Sequence, residues 1–264
     1  MPGKAPAADA TLRILRLMSE QRGPVAAATI ARTLSLPRST VYQLLATLSE
    51  HGFVIPIPEL KKYGLGVAAF ELSSGFNRQQ PLTRVGAPVL ARLVDETGLS
   101  GHLTVLLGRD VVYLAEERAP HGPYLVTDVG VRLPAHLTAS GLAMLADLPA
   151  AQVRALYPDR GSFTTRTGTG IATYRDLSSE LRAIRERGYA LEDSSVTEGL
   201  RSVAVAVPDH VGWPAASVAV TFPADRDIDL NATAARIARA AAELGRRIGG
   251  GAASPPRSQG TTAG

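Results

Sequence analysis

Cysteine is absent from the 264 residues. That excludes disulfides, thiolate metal sites and cysteine nucleophiles, and it fits a cytoplasmic chain. No apolar run approaches the roughly 18–20 residues that a membrane-spanning helix needs, so no membrane partner is expected. Met1–Ala10 lacks the apolar stretch of a secretory signal. The histidines, His51, His102, His121, His136 and His210, show no HxxxH spacing, so no metal is expected. No GxSxG elbow and no GxxxxGK[ST] phosphate loop occurs. The TGTG at 167–170 follows no strand and reads as a flexible loop. Glu116–Glu117 and Glu192–Asp193 pair carboxylates, but nothing in the sequence orients them. No catalytic residue and no cofactor is expected.

What is present is an ordinary globular composition, 45% hydrophobic and 20% charged, long enough for two modest domains. The charge is unevenly placed. Residues 1–66 carry eight Lys/Arg and four acidic side chains, and the other 198 residues carry twenty of each. The whole excess of +4 lies in the first quarter, where a local field attracts polyanions. Residues 1–9 and 249–264 are rich in Gly, Pro, Ser and Ala and read as disordered ends.

Periodicity predicts helices at 10–21, 26–34 and 37–51. Leu12, Ile14, Leu15, Leu17 and Met18 cover more than one face of the first, so it is expected to be buried on two sides. Ala26, Ala27 and Ala28 leave the second without a side-chain cap. Pro37 is expected at the first position of the third, where its missing N–H costs nothing. Val41, Leu44, Leu45 and Leu48 give that helix a core face. Ser39, Gln43, Ala46 and Glu50 lie opposite, flanked by Tyr42 and Thr47. Two short strands, 53–55 and 62–65, enclose a hairpin tip. A linker helix is expected over 67–79 and another helix over 81–97, bent by Pro88. Beyond Gly98, strands are predicted at 101–107, 111–116, 123–127, 189–192, 202–207 and 215–222. Helices are predicted near 138–147, 150–156, 173–187 and 229–248. Strands with segregated helices imply an α+β fold with an antiparallel sheet.

Three short helices and a hairpin follow the order of a winged helix-turn-helix, or equally of an unrelated bundle with a solvated face. On the first reading the third helix enters a major groove. Gln43 can pair with adenine, and Arg38 with guanine or phosphate. Ser39, Thr40 and the open amides of the first turn suit a phosphate. Tyr42 and Thr47 flank the base-reading face, and Lys61 and Lys62 would lie against the backbone or minor groove. His136 reads as a structural histidine bonding a loop, and Trp213 as packing at a sheet end. Glu192–Asp193 reads equally as a solvated strand end or a ligand contact, and Ser202 and Thr221 could satisfy backbone groups.

ATLRILRLMSE (10–20), IARTLSLPRSTVYQLLATLSEHGFV (30–54) and KYGLG (62–66) resemble the DNA-binding half of the IclR family of bacterial regulators. AHLTASGLAMLA (135–146) and RGYALEDSSVTEGLRSVAVAVPDHVGWPAASVAVTFP (187–223) resemble its ligand-binding half. The resemblance spans about 10–248. It implies a winged helix-turn-helix domain at 10–66, a linker helix, and a GAF-like effector-binding domain at 80–248. It also implies binding of double-stranded operator DNA as a dimer, or dimer of dimers, through the first helix and the linker. The expected effector is a small carboxylate or an aromatic catabolite. The family's pocket positions fall on Ala139, Ser140, Glu192, Leu200, Ser202, Ala219 and Thr221. Ser140 would open a helix whose amides form an anion site, with Ser202 and Thr221 as hydroxyl donors. Departures occur at Ser202, where Cys is common, at Ala219 for Ser, at Leu142 for Lys, and at Gly64 for a longer residue, so ligand identity does not carry over. Two other classes stay open on residue patterns alone: a small-molecule-metabolising enzyme, and a module using the winged domain for protein contacts.

Overall fold

Ile14, Met18, Val25, Ile30, Val41, Leu45, Leu48 and Val54 form one core, and the residues beyond Pro81 build two more on either side of a sheet. The computed structural model describes residues 5–19, 21, 23–72, 81–120 and 122–248. The chain divides into two compact units, one before Pro81 and one from Pro81 onward.

In the first unit α1 (Pro6–Ser19), α2 (Ala27–Leu34) and α3 (Arg38–Glu50) precede a two-stranded wing, β1 (Val54–Ile57) and β2 (Lys62–Leu65). Of the disordered start expected over 1–9, residues 6–9 belong to α1, which begins at Pro6, and 1–4 lie outside the described residues. Proline is tolerated in a first helical turn, alanines follow it, and Asp9 complements the N-terminal dipole while lying 3.9 Å from Arg13. Ala10, Ile14 and Met18 are buried, whereas Leu12 points outward. The Arg13 guanidinium donates to the Leu34 carbonyl (2.9 Å) and ties α1 to the end of α2. Ser35, left-handed at φ 53°, turns the chain toward α3. Pro37 sits one place earlier than expected, as the extended residue before the helix (φ −58°, ψ 139°). The strand preceding the wing tip runs through Pro56 to Ile57, further than predicted, and a single 3₁₀ turn, Pro58–Leu60, reverses the chain. Val25 and Tyr63 exchange two backbone hydrogen bonds of 2.8 Å each, adding the segment before α2 to the wing. Gly66 lies against Gly52; a Cβ there would be 2.2 Å from the Gly52 oxygen. Of the predicted linker helix, 67–72 (α4) are helical, and 73–79 lie outside the described residues, as does the tail 249–264.

The second unit is a six-stranded antiparallel sheet, ordered β5-β4-β3-β8-β7-β6. Its strands are β3 (Ser100–Leu107), β4 (Asp110–Glu117), β5 (Arg132–Pro134), β6 (Ala190–Asp193), β7 (Leu200–Pro208) and β8 (Pro214–Pro223). α5 (Pro81–Thr97), which continues through Pro88, and α9 (Leu230–Ile248) cover one face with Val89, Leu93, Ile237 and Leu244. α6 (Ala139–Asp147) and α8 (Tyr174–Arg187) cover the other with Leu142, Leu145, Leu177 and Leu181, and the short α7 (Ala150–Leu156) adds Val153. The strand expected at 123–127 is not a strand. Its alternation is real, since Leu125 and Thr127 are buried and Tyr124 is exposed. The outer edge of β4 is nevertheless taken by 130–134: Val131 and Gly130 bond Tyr113, and β5 pairs with 110–112.

Candidate nucleic-acid interface and ligand cavity

Val41, Leu45 and Leu48 anchor α3, which leaves Arg38, Ser39, Tyr42, Gln43 and Thr47 exposed and Thr40 half-buried. Among the described residues no hydrogen bond or ion pair engages the side chains of Arg38, Ser39, Tyr42 or Gln43; the Thr47 hydroxyl donates to the Gln43 carbonyl (3.2 Å). Pro37 provides no side-chain cap, and the first backbone bond of the helix is Val41 N–H to the Pro37 carbonyl (3.1 Å). The amides of Arg38, Ser39 and Thr40 are therefore open at the positive end of the dipole. Lys61, left-handed at φ 51°, stands at the wing tip, and Lys62 opens β2 opposite Ile57; both are exposed.

In the second unit all seven positions singled out from the sequence converge on one cavity. Strand register explains why. Glu192 pairs with Ser202, Ser202 with Thr221, and Thr221 with Ser100, forming one polar row across β6, β7, β8 and β3. Paired residues share a face, as do residues two apart on a strand, so Ala219 and His102 join the same surface one row over. Leu200 lines the wall from β7. Ala139 and Ser140 close it from above at the start of α6, where the Thr138 hydroxyl accepts from Gly141 N–H (3.0 Å). That cap satisfies one amide and leaves those of Ala139 and Ser140 ahead of the first helical bond, Leu142 to Thr138. Gly141 makes the roof possible: a Cβ there would lie 2.2 Å from the Ala135 oxygen.

Glu192 is 5% exposed, which corrects the solvated-strand-end reading for it but not for Asp193, which is exposed and pairs with Arg201 (3.2 Å). Glu192 Oε1 accepts the amides of Ser195 (2.6 Å) and Val196 (3.2 Å). Burial nevertheless pushes its carboxyl up to about 7. The Ser202 and Thr221 hydroxyls bond each other (2.9 Å) rather than the backbone.

Sequence reasoning missed His102, Tyr113, Thr127, Thr138 and the Leu125–Val126 segment, which also line the cavity. The legible signal was Ser100-x-His102-x-Thr104, a polar period of two inside an apolar strand. His102 is 2% exposed, and neither ring nitrogen has a hydrogen-bond partner among the described residues. It stands edge-on to Tyr113 (5.4 Å), with Nδ1 3.8 Å from Glu116 Oε2. Burial, helped by the Arg118 charge, lowers His102 to about 4, so it is neutral. Burial also raises the Tyr113 phenol, with Glu192 and Glu116 adding to the effect. The Glu116 carboxylate is held by Arg118 and accepts the Thr127 hydroxyl (3.0 Å), pinning the segment that covers the cavity.

His136 lies among Tyr157 and Phe163 and bonds Thr164 through Nε2 (3.0 Å), a loop contact of the expected kind. Trp213 is 43% exposed, and its turn is held by the Asp209 carboxylate, which accepts the amides of Val211 (2.9 Å) and Trp213 (2.8 Å). The hydroxyls of Thr167 and Thr169 tie the TGTG loop to the Ser194 carbonyl (2.7 and 3.1 Å). Among the described residues no group of three His, Asp or Glu could hold a metal, and no helix is long and apolar enough to cross a membrane.

A helix-turn-helix with a hairpin wing, joined to an α+β unit around a polar cavity, is the build of a DNA-binding transcription regulator. Residues 7–55 match the IclR helix-turn-helix domain and residues 77–247 the bacterial transcriptional regulator IclR C-terminal family. The chain is 30% identical to the transcriptional repressor IclR of Escherichia coli K12, over 90% of this chain and 88% of that one. It is 31% identical to the HTH-type transcriptional regulator XynR of the same organism, over 91% and 96%. An IclR transcriptional regulator from Alicyclobacillus acidocaldarius shares the fold at a TM-score of 0.83 and 21% identity, over 94% and 100% of the two chains. The chain belongs to the IclR family of bacterial transcriptional regulators. With regulators matching both halves, it is a DNA-binding regulator and not an enzyme.

Proposed function

We propose that the protein is a ligand-responsive regulator of the cytoplasm that binds a pseudo-palindromic operator as a dimer, with a dimer of dimers as the larger assembly. The observation that carries this reading is the polar cavity of the second unit, walled by residues from β3, β4, β6, β7, β8 and α6. Arg38, Tyr42, Gln43 and Thr47 read base edges, Ser39, Thr40 and the open α3 amides hold a phosphate, and Lys61 and Lys62 follow the backbone beside the wing. Leu12 on α1 and Val67, Phe70 and Leu72 on α4, all exposed, supply apolar surface for the second copy. Ala139, Ser140, Glu192, Leu200, Ser202, Ala219 and Thr221 hold a small organic acid whose carboxylate meets the α6 amides. Its binding shifts operator affinity only by its differential affinity for the two dimer poses.

A gel-shift titration with operator fragments from the neighbouring genes tests the reading. Gln43→Ala loses discrimination at one base pair by about 1–3 kcal/mol. Lys61→Ala weakens all sequences alike and flattens the salt dependence. Parental binding by both variants overturns the reading face. Ser202→Leu keeps operator binding and loses the ligand response; a retained response moves the effector site elsewhere.

A further inference from the structure

The polar groups around the cavity are sorted by kind, and the sorting describes a ligand. This rests on the reading of the cavity as the effector site. One wall donates: the Ala139 and Ser140 amides at the start of α6, with the Ser140 side chain buried beside them. Two walls accept. Glu192 stands on β6, with Oε1 occupied by two amides and the Ser202 hydroxyl beside its carboxyl. His102 stands on β3, three strands away, so the two are separated by roughly 14 Å of backbone, at about 4.8 Å per strand. The Glu116 carboxylate faces His102 Nδ1, which draws the imidazole proton to that nitrogen and leaves Nε2 as a lone-pair acceptor. Both ring nitrogens are buried and unpartnered among the described residues, a condition that costs stability until a ligand contact relieves it. Among the described residues no lysine or arginine lines the cavity.

We infer that the effector is a polyhydroxylated carboxylic acid, its carboxylate on the Ala139 and Ser140 amides and its hydroxyls donated to His102 at one end and Glu192 at the other. His102 is then the residue that selects hydroxylated acids. A second carboxylate would find no lysine or arginine to meet it among the described residues of the wall. An alkyl or unsubstituted aryl chain would leave His102 as unsatisfied as before.

The test uses the full chain, thermal shift and calorimetric titration, with threonate and gluconate as hydroxylated probes and hexanoate, adipate and benzoate as controls. At least one hydroxylated probe raises the melting temperature, the controls do not, and His102→Phe weakens the bound probe tenfold or more. Where His102→Phe fails to fold, His102→Leu carries the same comparison, and the probe series on the parent protein still decides the ligand class. Silence with both hydroxylated probes, a control that binds as tightly as they do, or unchanged affinity without the imidazole overturns the inference. Ser202→Leu separates the two levels. If it abolishes probe binding while His102→Phe does not, the inference falls and the cavity remains the effector site; if probes still bind, the cavity itself is misassigned.

Discussion

Glu192 and His102 meet the same cavity, and burial moves their titrations in opposite directions. The glutamate rises from its ordinary value near 4.5 to about 7. Between those limits the folded chain holds a proton that the unfolded chain has released, so its contribution is whole below 4.5 and lost as pH climbs through 7. Asp193 on its own strand and Tyr113 from β4 are the ionisable neighbours that act on it or are acted on by it. The histidine falls from 6.5 to about 4, with Arg118 and Glu116 beside it. Here the unfolded chain takes the proton first, so stability is kept above 6.5 and lost as pH drops toward 4. From 4.5 to 6.5 the two slopes oppose. Glu192→Gln should leave stability rising with pH across that window, and His102→Leu should leave it falling, each by up to about 1.4 kcal/mol per pH unit. Urea melts at four pH values check this; parallel curves for both variants and the parent would remove the two residues from the titration. Glu192 was placed at the pocket by the family resemblance, since the residue pattern alone left Glu192–Asp193 equally a solvated strand end. His102 was legible only as part of the polar alternation Ser100-x-His102-x-Thr104, and one histidine in an apolar run does not disclose whether its nitrogens find partners.

At the level of elements, two glycines set how closely segments approach. A methyl at Gly141 would press on the turn Ala135–Leu137 under α6, and one at Gly66 would press on the carbonyl of Gly52 where the wing leaves α3. Gly141→Ala should cost about 1–3 kcal/mol or more and blunt the ligand response, while operator binding persists. Gly66→Ala should reduce operator affinity and leave ligand binding intact. Thermal melts with gel shifts and probe titrations separate the two; matching phenotypes would refute the division. The helices were legible because their apolar spacing is long and regular, as in Ala234, Ile237, Ala241 and Leu244 of α9. The segment 123–127 misled because alternation reports which side chains are buried and says nothing of backbone partners. β5 escaped because three residues are too short to show a period.

For the molecule as a whole, the two units have separate cores, and each should melt as its own cooperative body. Calorimetry should resolve two transitions, with a cavity ligand raising only the one that belongs to the second unit. A single transition that shifts as one would show the units to be energetically fused. The bonds between Val25 and Tyr63 carry a consequence for the first unit. They staple the wing to the chain entering α2, so the span from helix to wing is a fixed gauge. A gauge that does not flex leaves any mismatch in groove width to the DNA. Base steps that the protein never touches then enter recognition through their stiffness, and operators differing only there should be ranked by how readily they deform.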